Sequence, residues 1–164
     1  MSKAYLSLGS NMDPERNLRS AVVALRERFG ELSLSPVYRT AAVGFDGPDF
    51  LNAAAIIESD LDPPALNDWL HALEDAHGRD RSSPRFGDRP LDIDIVFYDE
   101  RIVDGPQRLR IPRPELRHAF VLKPLADIAP GFIDPLSRKS LAELWAVSPE
   151  RGSAMAVVEG FAGA

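Results

Sequence analysis

Gly78-Arg79-Asp80-Arg81-Ser82-Ser83-Pro84-Arg85-Phe86-Gly87-Asp88-Arg89-Pro90-Leu91-Asp92-Ile93-Asp94-Ile95-Val96-Phe97-Tyr98 is the most informative stretch of the chain. Its second half, residues 91–98, alternates and reads as a strand. Leu91, Ile93, Ile95 and Phe97 point one way, and Asp92, Asp94, Val96 and Tyr98 the other. The two carboxylates therefore share a face, about 6.5 Å apart at the backbone. That spacing suits joint ligation of a hard cation such as magnesium. Arg79, Arg81, Arg85 and Arg89 precede them in a segment broken by Gly, Ser and Pro, which reads as a mobile loop. A cationic loop beside paired acids is the equipment of phosphoryl transfer: metal neutralises phosphate oxygens while guanidinium groups stabilise developing charge. The plain alternative is a solvated Asp pair on an open edge strand with a soluble loop before it. The clustered arginines and the apolar opposite face weigh against that alternative.

At 164 residues the chain has room for one domain with a sizeable core. Its 45% hydrophobic and 27% charged content is that of a soluble globular protein. No apolar run approaches the ~20 residues of a membrane span. Met1-Ser2-Lys3-Ala4-Tyr5 enters a strand without signal-peptide design, and the cytoplasm is the default expectation. The absence of cysteine excludes disulfide and thiolate chemistry. A net charge of −6 argues against a general nucleic-acid binder, whereas local arginines in an acidic chain fit a small anionic ligand.

From the N-terminus, residues 4–8 read as a strand ending in the turn cluster Gly9-Ser10-Asn11. Asp13 is expected to cap a helix opened by Pro14, with Leu18, Val22, Leu25 and Phe29 on its apolar face and Gly30 as its stop. Residues 32–38 read as a second strand, 39–49 as a long glycine-rich loop of functional or mobile type, and 50–58 as a third strand. Asp62 and Pro63 open a second helix with Leu66, Trp69, Leu70, Leu73 and His77 as its stripe. Glu74 flanks that stripe and taken alone reads as a solvated carboxylate; His71 and His77 read as surface or packing residues. The order βαββαβ predicts an α+β, ferredoxin-like core, an antiparallel sheet with both helices on one face. The expected buried set is Leu18, Val22, Leu25, Leu66, Leu70, Leu73, Ile93 and Ile95. Beyond Tyr98 the sequence predicts a short edge hairpin, a helical turn from Pro112, and a small helix over 140–147 with Leu141, Leu144 and Trp145 inward. The last Gly and Ala residues read as frayed. The reading is one domain over 1–164, with a core of about 4–125 and a C-terminal extension of about 126–164 that carries no chemistry.

The run from Arg85 to Val96 resembles the signature of the 6-hydroxymethyl-7,8-dihydropterin pyrophosphokinases, folate-pathway enzymes. Further blocks match in order: Gly9-Ser10-Asn11, Tyr38-Arg39-Thr40, Phe50-Leu51-Asn52-Ala53 and Gly78-Arg79. The resemblance implies transfer of the terminal pyrophosphate of ATP to the hydroxymethyl group of a reduced pterin, releasing AMP. It assigns Asp92 and Asp94 to two magnesium ions and Arg79, Arg81, Arg85 and Arg89 to catalysis. It also assigns Arg79 and Arg89, with His71, Glu74, Ile95, Arg108, Arg110 and Arg113, to the nucleotide. Thr40, Val43, Phe50, Asn52, Phe86 and Phe120 would form the pterin pocket, with the phenylalanines as stacking plates and Asn52 as the edge-reading amide. The implied partners are ATP and the reduced pterin, acting on a monomer, with no nucleic acid and no membrane.

The chain departs from the family pattern at several positions. Asp88 stands where a Pro, a small residue or Glu is usual, Ala41 where Pro is common, and Phe86 where Trp is common. Pro112-Arg113-Pro114 replaces a frequent Pro-His, and the spacing to Phe120 is one residue short, leaving Arg117 and His118 both open as the phosphate contact. Two other readings stand beside the enzyme: a non-catalytic ferredoxin-like sensor and a nucleic-acid module on the same sheet. The retained Asp pair and arginines oppose the first, and the acidic balance opposes the second.

Overall fold

The structure, a computed structural model, describes residues 1–42, 45–78, 88–105 and 109–161. In chain order its elements are β1 (Ser2–Ser10), α1 (Pro14–Phe29), β2 (Ser33–Leu34), β3 (Tyr38–Thr40), β4 (Phe50–Ser59), α2 (Pro63–Ala76), β5 (Asp92–Tyr98), β6 (Val103–Asp104), β7 (Arg110–Ile111), α3 (Ala119–Ile128), α4 (Leu141–Ala146) and β8 (Ala156–Val157). A 3-10 turn at Pro114–Arg117 leads into α3. β1 lies between β4 and β5, antiparallel to both, and the sheet runs β5-β1-β4-β3-β8 with β2 also pairing β4. This is the expected ferredoxin-like arrangement, with β2 and β3 together in the place of the second strand. β6 and β7 pair with each other as a separate two-stranded sheet.

The strand expected over 32–38 is split, and Ser35-Pro36 is the reason. Proline has no N–H for the ladder. Ser35 maintains the pairing instead: its N–H donates to Ala54 O at 2.9 Å, and its hydroxyl accepts from Ala54 N at 2.8 Å.

Alternation in β5 holds only as far as Ile95. Leu6 pairs with Ile95 and Tyr5 with Phe97, so Val96 is an extra residue, a bulge that reverses the later side chains. Phe97 therefore joins Val96 on one face, and Tyr98 joins Leu91, Ile93 and Ile95 on the other, correcting the simple two-face assignment.

Two cores follow. On one face Ala4, Leu6 and Leu8 of β1 meet Leu18, Ala21 and Leu25 of α1 and Leu66 and Leu70 of α2. The expected residues are buried except Leu73, which is half-buried; the stripe of α2 turns instead through Asn67 and Glu74. On the other face Val121, Leu122 and Leu125 of α3 and Leu141 of α4 pack on Ala54, Val96 and Phe97, with Tyr5, Phe132, Leu144 and Trp145 around them. α3 and α4 thus cover part of the face that the sequence left open.

Asp62 caps α2 through its side chain, accepting from Ala65 N at 3.0 Å. Asp13 does not act this way: it is left-handed (φ 46°) and makes no side-chain cap, and its carboxylate lies 3.6 Å from Arg16. At the other end Gly30, at φ 87°, turns the chain out of α1. His77 ties the two helices together, its Nε2 2.8 Å from Ser20 Oγ. Ser140 and Glu143 form a capping box that starts α4.

The chain's end is held through residue 161. β8 pairs with Tyr38 and Arg39, closing the β3 edge, and Val158 N donates to Val37 O at 2.8 Å. Phe161 is buried in the first core, with the Arg19 guanidinium 4.4 Å above its ring and Arg19 donating to Gly160 O at 3.1 Å. The expected fraying at the terminus concerns residues 162–164, outside the described residues.

Phe161→Ala is predicted to cost about 3 kcal/mol, the low end for a buried Phe because the segment can detach. Thermal unfolding should then move down by roughly 6–12 °C. A midpoint within a degree of the parent would mean that Phe161 is not part of the core.

Candidate active site

On the face opposite α1 and α2, register places the candidate residues in rows. Gly9 sits between Asn52 of β4 and Asp92 of β5, and Ser7 between Ala54 and Asp94. Tyr38 stands opposite Asn52, and Thr40 opposite Phe50. Two strand spacings put the Asn52 and Asp92 backbones about 10 Å apart. Gly9 is the low point between them: a Cβ there would lie 3.1 Å from Asn52 Oδ1 and 3.7 Å from the Phe50 ring. Asn52 is buried, and its Nδ2 donates to Thr40 Oγ1 at 2.6 Å, which fixes the amide against β3. Phe45 meets Phe50 edge to face at 6.3 Å. Tyr38 closes the α3 side by donating its hydroxyl to Asp127, which also pairs with Lys123 at 2.6 Å.

At the β5 end carboxylates crowd together. Burial pushes Asp94 well above the usual carboxylate range, and Asp92, Glu74 and Glu115 push the same way. Arg113 opposes them, its Nη2 3.3 Å from Asp94 Oδ1 and its Nε 3.2 Å from Glu115 Oε2. The Arg113 backbone is fixed by donation to Val96 O at 3.1 Å. Among the described residues this excess of oxygen donors over cations fits a divalent ion. Among the described residues no group of three or more His, Cys, Asp or Glu could hold a metal by themselves. A carboxylate pair without a full protein cage suits magnesium, which keeps waters and takes its remaining oxygens from phosphates.

Glu74 is buried, and Oε2 accepts the Ile93 N–H at 2.8 Å, between the two aspartates. It is thus a strut from α2 to the outer edge of β5 rather than a solvated carboxylate. Asn11 does comparable work at the end of β1. Its Oδ1 accepts Arg89 N at 2.7 Å, its N–H donates to Arg89 O at 3.0 Å, and its Nδ2 donates to Asp88 Oδ1 at 2.9 Å and Pro48 O at 3.3 Å. Two loops are thereby pinned beside the site. Arg89 is buried, with Nη1 donating to Asp88 O at 3.1 Å.

Phe120 lies on the first turn of α3, its ring stacked on His118 at 5.1 Å and 13°. His118 is half-buried and Arg117 exposed. Ile95 turns its side chain into the helix-side core, so a nucleotide would meet only its backbone. Arg110 is exposed on β7, and His71 is half-buried on α2. Val43, Arg79, Arg81, Arg85, Phe86 and Arg108 lie outside the described residues, as does most of the 78–89 loop. Sequence reasoning passed over Glu115 and the bridging role of Asn11. The Gly-Ser-Asn turn was a usable signal for Asn11, whereas nothing in the spacing marked Glu115.

Residues 5–130 match the family model described as 7,8-dihydro-6-hydroxymethylpterin-pyrophosphokinase (HPPK). A 2-amino-4-hydroxy-6-hydroxymethyldihydropteridine pyrophosphokinase of Pseudomonas aeruginosa is 39% identical over 158 residues, covering 93% of this chain and 95% of that protein. One from Methylorubrum extorquens is 40% identical over 151 residues, covering 88% of this chain and 94% of its own length. Among solved structures, a triple-mutant Plasmodium falciparum HPPK-DHPS superposes with a TM-score of 0.74 over 92% of this chain at 13% identity. That likeness concerns the fold, and this chain covers 42% of the fusion protein's length.

Glu74→Ala is predicted to orphan the buried Ile93 N–H and cost about 1–3 kcal/mol. Glu74→Gln keeps an acceptor and removes a charge that disfavours ionised Asp94, so it should cost less. Equal losses in urea unfolding would show that the Ile93 bond is not the stabilising contact.

Proposed function

The chain belongs to the 7,8-dihydro-6-hydroxymethylpterin-pyrophosphokinase family, and from that premise we propose how its sheet-face site works. The reaction is transfer of pyrophosphate from ATP to the hydroxymethyl group of 6-hydroxymethyl-7,8-dihydropterin. The hydroxymethyl oxygen bonds to the β-phosphorus, the bond from that phosphorus to the α-phosphate oxygen breaks, AMP leaves, and the hydroxyl proton is lost. The substrates are small molecules; the protein works as a monomer in the cytoplasm, as one domain.

The observation that carries this reading is the row Asn52–Gly9–Asp92. It puts an amide for reading a heterocycle edge about two strands, or ~10 Å, from the acids that would hold a metal–phosphate group. Asn52 pairs with the pterin edge, and the Phe50 and Phe120 rings flank its faces. Thr40 holds Asn52 in the orientation required. Asp92 and Asp94 would hold magnesium, and Arg89, Arg110 and Arg113 would meet the nucleotide with His71, Glu74 and the Ile95 backbone. Bound magnesium supplies charge neutralisation on the phosphate oxygens. Arg113, already beside Asp94, is within reach of a phosphate held there. His118 is favoured over Arg117 as the phosphate contact by its stacking against Phe120. Arg79, Arg81, Arg85 and Phe86, with Val43 and Arg108, complete the set as the resemblance assigns them: arginines on the transferring phosphates, Phe86 and Val43 against the pterin.

The test is AMP release from ATP that depends on both magnesium and the hydroxymethyl-dihydropterin; release without the pterin would remove the reading. Asp92→Asn and Asp94→Asn should each retain the fold and lose ~10²-fold or more in turnover. Near-parental turnover at saturating magnesium in either variant would rule out that carboxylate as a metal ligand. Asn52→Ala should weaken pterin binding by about 1–3 kcal/mol while sparing ATP. Equal losses for the two ligands in calorimetry would make Asn52 a structural residue.

A further inference from the structure

Glu150 lies beyond the residues that the family model matches, yet it is bonded to the start of α3. The turn that carries it is built from α4. Ser148 N donates to Trp145 O at 3.2 Å, Glu150 N to Ser148 Oγ at 3.1 Å, and Arg151 Nη1 to Ala146 O at 3.0 Å. Trp145 is packed in the second core, so the turn is anchored at its base. From there the carboxylate makes two bonds to the start of α3. Oε2 lies 3.0 Å from His118 Nδ1, and Oε1 accepts Ala119 N at 3.1 Å.

An ionised carboxylate only accepts, so His118 Nδ1 must carry a hydrogen. With that hydrogen directed at Oε2 and the next backbone N–H directed at Oε1, the imidazole is held in one plane. Its face lies nearly parallel to the Phe120 ring. Glu150, His118 and Phe120 thus form a continuous chain from the C-terminal segment to the aromatic side of the site.

We infer that Glu150 is a positioning residue for the pterin: it fixes His118, and His118 backs the Phe120 ring that stacks on the substrate. This rests on the proposed role of Phe120. The C-terminal segment then takes part in substrate affinity, where the sequence pattern assigned it no chemistry.

The first measurement uses the unaltered protein. In 15N-resolved spectra, His118 is expected to show a hydrogen on Nδ1; a bare Nδ1 with the hydrogen on Nε2 would overturn the inference. In Glu150→Gln that signature should be lost or shifted. Pterin affinity should fall about three- to tenfold, the size of one aromatic stacking contact. A purely structural cap would lower the unfolding temperature and leave pterin affinity alone, which would overturn the inference. Phe120→Ala separates this inference from the site assignment beneath it. If Phe120→Ala weakens pterin binding and Glu150→Gln leaves it within about twofold, the inference fails and the assignment of Phe120 stands. If Phe120→Ala has no effect, both fall. In the Phe120→Ala background, Glu150→Gln should add nothing; an additive loss would show that Glu150 acts by another route.

Discussion

The register of β1 between β4 and β5 is the constraint on which the site depends. A strand's side chains alternate with a period of two, so slipping either ladder by one residue would send half the site into the helix-side core. With Gly9 opposite both Asn52 and Asp92, the amide and the carboxylate rise from one face on either side of a residue with no side chain. The hollow between them is made by that absence. The buried rows of Ala4, Leu6 and Leu8 against α1 and α2 specify the register, because only this pairing keeps those side chains out of water. Packing on one face thus sets the geometry of the chemistry on the other.

The β5 bulge lets one strand serve both purposes. Asp92 and Asp94 face the open half of the sheet, while Val96 and Phe97 anchor the half covered by α3 and α4. The carboxylates carry an electrostatic cost in this position, visible in the upward push on Asp94 by burial and by its acidic neighbours. Arg113 offsets part of it, and the Glu74 oxygen satisfies an edge N–H that would otherwise be buried without a partner. A metal–nucleotide complex would relieve the remaining repulsion. The unfavourable local charge would thereby be converted into ligand affinity, a usual arrangement at sites where stability and function compete.

The C-terminal segment is structurally integral. β8 covers the β3 edge, Phe161 fills a place in the first core beside α1, and α4 seals the second core. An exposed sheet edge invites pairing with other chains, and covering it removes that hazard. The same segment supplies Glu150 at the N-terminus of α3, so one piece of chain both completes the sheet edge and fixes the start of that helix.

The amino-acid sequence by itself determined the order of the core elements, both long helices, the two carboxylates that share a face, and the resemblance that the family comparison bears out. These are legible because helix caps, alternation and short motifs act over a few residues. It misread what depends on partners distant along the chain. The break at Ser35-Pro36 was missed because a hydroxyl from that segment substitutes for a ladder bond on β4, and the reversal at Val96 because alternation carries no mark of a bulge. The burial of Glu74 was decided by an N–H on β5, nineteen positions away, and the crossing of Asn11 to residues 88–89 by seventy-seven and seventy-eight. Tertiary structure alone decided these, because a buried polar group is placed by whichever donor or acceptor the fold brings to it, and that partner has no local signature.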